Sequence, residues 1–371
     1  MRIATWCPPL VACALLLRSG SGAAQASIPL CAGLTIVGAV SEPEGDYEPM
    51  ITVTGVDDAG VHLAYYSEVR TASGALRKVN VRRMVRRTDM ENATLLMGWF
   101  NPQASVIIPG TTAIGTSRAV LRALKSNGTA ELGLFDRENS AVPARRDVQP
   151  NVYDYQIVYT LHRVTEGPAS LRVLVNGVTV QLPVIHARGK YMGDEAELFL
   201  LDDEANPLLL RHRLGNGGTV GTSALAQAVK ISHRCRSSPG AAQSASPRSG
   251  LEQALLETGR ADVYDIYFDF NSDRIREQSE PTLNEIAELL NRHPDWRLAI
   301  EGHTDSIASD RFNLELSARR AAAVKAALTA RDGIADNRLT TSGAGEGRPR
   351  DQNDTPEGRA RNRRVELVRL P

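Results

Sequence analysis

Three short segments place polar side chains where apolar runs end. Phe268-Asp269-Phe270-Asn271-Ser272-Asp273 closes one alternating run. Gly302-His303-Thr304-Asp305 closes a second, and residues 313–321 open the stretch that follows it. Asn362-Arg363-Arg364-Val365 leads into the last run. Asp305 comes directly after a predicted strand, and Arg320 falls within the first turns of the next predicted helix. A strand–helix connection of this kind brings both groups to the carboxyl edge of a sheet. A carboxylate and a guanidinium so placed form a salt bridge with each other, or they engage the charges of a bound molecule.

Other chemistry is poorly supported by residue type and spacing. His62, His162, His186, His212 and His233 show no metal-ligand spacing. His303, alone beside a strand end, reads as structural. Asp269, Asn271, Asp273 and Glu280 fit four positions of a calcium loop, but Arg274 stands where the sharp turn needs Gly. Residues 110–117 are Gly- and Thr-rich, yet Thr116 occupies the place of the lysine that a phosphate-binding loop requires. No metal and no cofactor is expected. Hydrolysis would need a metal cluster, an activated nucleophile or a tuned carboxylate pair. Only the last stays open, in the amino-terminal half, as a hydrolase alternative.

The elements that must position these residues fall into two domains. Residues 237–250 are rich in Ser, Ala, Pro and Gly without apolar periodicity, as expected of a flexible linker between 27–236 and 251–371. The expected class is α+β. The first domain reads as mostly β, from apolar runs at 34–40, 50–56, 61–66 and 152–161. Asn176-Gly177 between two alternating runs predicts a tight hairpin. A second turn is expected at 203–207, and a helix over 117–127. The arginine-rich stretch 82–87 reads as a solvated strand face, or alternatively as a docking patch. In the second domain a short helix ends near Gly259, and a strand is expected over 263–270. Ser279 and Pro281 suit the start of a helix that Pro294 stops. A strand near 296–300, a helix over 314–330, and strands over 339–342 and 365–370 follow. The order is β-α-β-α-β-β, which packs naturally as helices on one face of a mixed sheet.

The 371 residues carry 43 basic and 43 acidic side chains, so nothing favours nucleic acid as a partner. Aromatics are only 5%, which speaks against a membrane barrel with aromatic girdles. Arg2, an apolar run over 10–17 and Ala24-Gln25-Ala26 form an export signal over 1–26. An uncleaved anchor, or lipidation at Cys13 after Leu10-Val11-Ala12, are the alternatives. Cys31 and Cys235 then remain in an exported chain, and one disulfide is expected between them, with two separate thiols as the other reading.

The motifs in the second domain resemble a known family. Glu301-Gly302-His303-Thr304-Asp305, then residues 313–324 in the pattern N-x-x-L-S-x-x-R-A-x-x-V, then 358–365 as G-R-A-x-N-R-R-V occur in order. This is similar to the OmpA-like carboxyl-terminal domain of bacterial envelope proteins, over about residues 263–370. The first domain does not look like the membrane barrel of that family's namesake. The resemblance implies non-covalent binding of peptidoglycan through the diaminopimelate of its stem peptide. Asp305 would pair with the ammonium of that zwitterion, and Arg320 would fork onto its carboxylate. Asn313, Asn271 and Arg363 match further pocket positions, and Thr304 adds its backbone or hydroxyl. Asn271 is alternatively a turn residue and Arg363 a solvated one, with Arg364 facing away. The implied protein sits in the periplasm at the cell wall and outer membrane. It tethers an exported protein to the wall, or serves a scaffold, secretion or signalling assembly whose first domain docks another envelope protein.

Overall fold

A computed structural model describes residues 28–41, 47–70, 75–97, 100, 102, 105–135, 156–165, 170–191, 194–214, 224–235 and 250–371. The expected export signal at 1–26 and nearly all of the expected linker lie outside the described residues. Among the described residues no helix is long and apolar enough to cross a membrane.

The amino-terminal domain runs β1 (Thr35–Ser41), β2 (Met50–Val56), β3 (Gly60–Arg70), β4 (Leu76–Arg86), α1 (Arg87–Asn92), β5 (Leu95–Met97) and β6 (Thr111–Thr112). It continues with α2 (Arg118–Ser126), β7 (Thr129–Phe135), β8 (Gln156–Arg163), β9 (Ser170–Val175), β10 (Val178–Tyr191), β11 (Asp194–Leu201), β12 (Leu209–Leu214) and β13 (Ala224–Ser232). The strands join in the order β4-β3-β2-β1-β13-β12-β11-β10-β8-β7-β5-β6, and β9 pairs with both β10 and β13. The circuit β9-β10-β11-β12-β13 therefore closes on itself. Val173, Leu182, Val184, Leu201, Leu210 and Ile231 belong to one buried apolar cluster here.

Local chemistry explains several of these elements. Asn176 and Gly177 both take positive φ, 47° and 79°, as the tight β9–β10 turn demands. Ser117 caps α2 by accepting from the Val120 amide at 3.3 Å, and Val120, Leu121 and Leu124 bury one face. Asp203 Oδ1 accepts from the Ala205 amide at 2.9 Å in the expected turn between β11 and β12. The arginine-rich stretch departs from its reading as a solvated face. It lies in β4, where Val79, Val81, Arg83 and Val85 alternate inward, so Arg83 is only 3% exposed while Arg82 and Arg87 are solvated.

The carboxyl-terminal domain runs α3 (Gly250–Glu257), β14 (Arg260–Val263), α4 (Glu280–Arg292), β15 (Arg297–Gly302), α5 (Asp310–Asp332), β16 (Leu339–Gly343), α6 (Pro356–Asn362) and β17 (Val365–Leu370). Its sheet order is β14-β17-β15-β16, with β15 and β16 parallel and β17 antiparallel to both its neighbours. Leu283, Ile286 and Leu290 of α4 and Val324 and Leu328 of α5 pack with Leu298, Ile300 and Leu367 of the sheet. This core shares no residue with the clusters of the first domain.

Three expectations shift. The strand expected over 263–270 ends at Val263, and beyond it only Phe268 bridges, to Ile275. Ser279 precedes α4 without capping it, because its hydroxyl accepts from the Tyr267 amide at 2.8 Å. Helix α6 was not expected: seven residues with Pro, Gly and two Arg show no apolar stripe, and Thr355 starts it by accepting from the Gly358 amide.

A buried ionic network occupies the sheet near β17. Glu366, 2% exposed, takes Arg260 at 2.6 Å, Arg350 at 3.2 Å and Arg364 at 3.5 Å. Burial works to raise its carboxyl, and the guanidiniums outweigh that, so its pKa falls below the ordinary value. Cys31 and Cys235 form the disulfide, with Cα atoms 5.7 Å apart across 204 residues of sequence.

Two outcomes follow. Closing so long a loop is worth about 5 kcal/mol in the chain-entropy model, so reductant should lower the midpoint of thermal unfolding by roughly 10–20 °C. An unchanged midpoint would deny the disulfide any weight in stability. Glu366 has a depressed folded pKa, so its stabilisation is complete above the unfolded value and is lost as pH falls through the folded one. Glu366→Gln should cost about 3 kcal/mol near neutral pH and flatten the acid limb of a stability–pH curve. A parallel acid limb in the variant would remove Glu366 from that dependence.

Candidate functional site

Two glycines set the geometry of the site. Gly302 and Gly343 are register partners at the ends of the parallel strands β15 and β16. A Cβ on Gly302 would meet the Ser317 carbonyl at 2.1 Å, and one on Gly343 the Ala318 amide at 2.5 Å. Their bare backbones let α5 lie against the strand ends. That contact holds Arg320, one turn further on, above the loop that carries Asp305.

The loop is fastened from both sides. Ser309 caps α5, and the Asn313 amide donates to the carbonyls of Asp305 at 3.0 Å and Ala308 at 3.1 Å and to Glu346 Oε2 at 2.5 Å. Thr304 donates its backbone amide to the Gly345 carbonyl at 2.9 Å. Its buried hydroxyl has no hydrogen-bond partner among the described residues. Asn271 takes a φ of 49° in the turn between Phe268 and Ile275. That turn presents the Ser272 carbonyl, which accepts from Arg320 Nε at 3.0 Å, while the guanidinium carbon stands 4.9 Å from the centre of the Phe268 ring. Asn271 therefore sits at the site as a turn former.

Asp305 and Arg320 do not pair with each other. Asp305 Oδ2 accepts from Arg363 Nη1, and its Oδ1 accepts from the Ile307 amide at 3.2 Å. Among the described residues no carboxylate forms an ion pair with Arg320. Burial, then the neighbouring Arg363 cation, pulls Arg320 down to about 10. Burial alone would lower Arg363 too, but Glu48 and Asp305 raise it. Arg364 turns the other way, to Asp262 at 2.9 Å.

The first domain completes the surroundings. Arg363 Nη2 donates to Glu48, and Lys230 lines the same cavity of about 80 Å³ as Phe268, Arg320 and Arg363. Lys230 is 6% exposed, with its ammonium 5.9 Å from the centre of the Tyr267 ring, and burial pulls it down to about 8. Phe268, Glu48, Lys230 and Glu346 were not picked out as site residues from the sequence. Phe268 sits in the first polar segment and had a positional signal. The other three lack one, because they arrive through tertiary contact.

Glu301, His303 and Glu366 bring ligand atoms within 4.8 Å of one another. Their carboxylates already take Arg348 at 2.9 Å and the guanidiniums on Glu366, so a metal ion would enter a ring of positive charge. His303 is held neutral, pushed down to about 4 by burial and by Arg364. Asp269, in the calcium-like stretch, binds Lys78 at 2.9 Å and Arg276 at 3.2 Å instead.

A model of the OmpA family matches residues 267–363. Outer membrane porin F of Pseudomonas aeruginosa is 41% identical over 113 residues, which is 30% of this chain and 32% of the porin. The peptidoglycan-binding protein ArfA of Mycobacterium bovis is 48% identical over 86 residues, 23% of this chain and 26% of that protein. The solved peptidoglycan-associated lipoprotein of Burkholderia pseudomallei shares 32% identity, covering 28% of this chain and 88% of that one, with a TM-score of 0.27. The chain thus spans about a third of the porin and a quarter of ArfA, aligned over the carboxyl-terminal segment. On the match over 267–363, the carboxyl-terminal domain of this chain belongs to the OmpA family.

Proposed function

We propose that the carboxyl-terminal domain binds peptidoglycan without cutting it, through the zwitterionic end of the diaminopimelate in the stem peptide. The observation that carries this reading is the split of charge around Arg363: Asp305 is held on one of its arms, Arg320 lines the cavity beside it, and no ion pair joins Asp305 to Arg320. An amino-acid zwitterion brings the complementary set. Its ammonium faces Asp305, and its carboxylate takes the guanidinium of Arg320, whose planar N–H groups suit two oxygens. Phe268 packs against that guanidinium, its ring centre 4.9 Å from the guanidinium carbon, which favours the cation there. Asn313 and Asn271 act by holding the loop and the turn, and Thr304 offers a buried hydroxyl. The name of the mycobacterial relative, a peptidoglycan-binding protein, agrees with this assignment. So does the solved relative, titled a peptidoglycan-associated lipoprotein. The role that follows is a tether: the domain holds an exported protein to the cell wall in the periplasm, on the inner side of the outer membrane. These side chains hold charge in place and supply no activated nucleophile, which favours holding over hydrolysis.

The test is sedimentation of residues 251–371 with purified diaminopimelate-type peptidoglycan. That segment carries its own core. Each charge-assisted contact is worth about 1.5–3 kcal/mol, so Asp305→Ala and Arg320→Ala should each weaken binding at least about tenfold, with circular dichroism unchanged. Equal sedimentation of both variants and the parent would refute the pocket. Release of soluble fragments from the wall would refute the non-hydrolytic reading.

A further inference from the structure

Glu48 belongs to the first domain, just ahead of β2, yet its carboxylate is spent on Arg363 of the second. The other arm of that guanidinium holds Asp305. Arg320 and the buried Lys230 line the same cavity. Three cations therefore converge where one carboxylate enters from across the domain boundary. A carboxylate on Arg363 beside Arg320 is the same chemical object that a wall peptide would bring.

The remaining interface is of a kind that parts and rejoins. Three of its ion pairs leave one side chain about half exposed: Lys78 with Asp269 at 2.9 Å, Arg172 with Asp351 at 2.7 Å, and Arg234 with Glu285 at 2.7 Å; a fourth, Arg276 with Glu68 at 3.4 Å, is largely buried on both sides. The apolar contribution is one small cluster around Met50, Val229, Tyr267 and Ala360. Polar domain faces of this type exchange between docked and undocked arrangements. The cavity that remains when they are docked, about 80 Å³, is far below the roughly 300 Å³ at which small-molecule sites begin.

We propose that Glu48 is an internal competitor for the wall-binding site: its carboxylate sits on Arg363 in the cavity that Arg320 lines, where the ligand's carboxylate would go, and the ligand enters when the first domain withdraws it. This rests on the reading of Asp305, Arg320 and Arg363 as the zwitterion site. Docked and open forms then share one population, and the apparent affinity of the whole chain is the intrinsic affinity scaled by its open fraction.

The experiment uses the full chain, sedimented with purified diaminopimelate-type peptidoglycan, as wild type, Glu48→Gln and Arg320→Ala. Removing an ion pair of this exposure should tighten apparent binding by about fivefold, with the melting temperature little changed. Binding by wild type that is lost in Arg320→Ala but equal in Glu48→Gln would overturn the competitor and leave the site reading intact. Weaker binding by Glu48→Gln would make Glu48 a ligand contact and also overturn the competitor. Absence of binding in wild type and Glu48→Gln alike would defeat the site reading, and the competitor with it.

Discussion

A buried guanidinium has to be matched by an anion, and at this site Arg363 imposes that condition on both domains. It is fixed at the end of α6, with Asp305 at one arm and Glu48 at the other. Because Asp305 is taken up in this way, Arg320 is left to a backbone carbonyl and an aromatic face. Because Glu48 is taken up, the first domain is drawn over the strand ends of the second. Removing either charge from water costs several kcal/mol unless the partner is close, so the closure of the domains and the neutrality of the site are one balance.

The domain separates its two kinds of ionic chemistry by location. Around Glu366 and Glu301 the guanidiniums of Arg260, Arg348, Arg350 and Arg364 are committed to carboxylates of the same domain. That network lies on β15 and β17 of the sheet on which the site is built. At the cavity, Asp305 of the same domain is joined on Arg363 by a carboxylate borrowed from the other domain. A committed network suits a scaffold, and a borrowed partner suits a place where charges are exchanged.

Much of the second domain was legible because its signals are local. Period and punctuation located α4, β15, β16 and β17, and the order of strand end, loop and helix put Asp305 and Arg320 at one edge. The pairing at that edge was not legible, since Arg363 lies 58 residues beyond Asp305 and Glu48 lies 315 residues before Arg363. Nothing in the run 263–270 foretold that pairing would stop at Val263, because alternation reports burial and not hydrogen bonding. Helix α6 was hidden for the opposite reason: it is set by Thr355, Pro356 and tertiary contacts, with no apolar stripe to reveal it. In the first domain the Asn176-Gly177 turn and the Ser117 cap could be read directly, whereas the closure of β9 onto β13 is long-range pairing that no local pattern encodes.

The disulfide bears on the same balance. Cys235 follows Arg234, which reaches Glu285 and the Pro281 carbonyl at the start of α4. Cys31 ties that point to the beginning of the first domain, just ahead of β1, the strand that pairs with β2, which Glu48 precedes. The segment leaving β13 toward the second domain is thereby anchored to the sheet that presents the competing carboxylate. A competitor held on a fixed surface at short range has a high effective concentration, so even a weak ion pair can occupy its partner most of the time. A single half-exposed carboxylate can in this way control access to a site built from three cations.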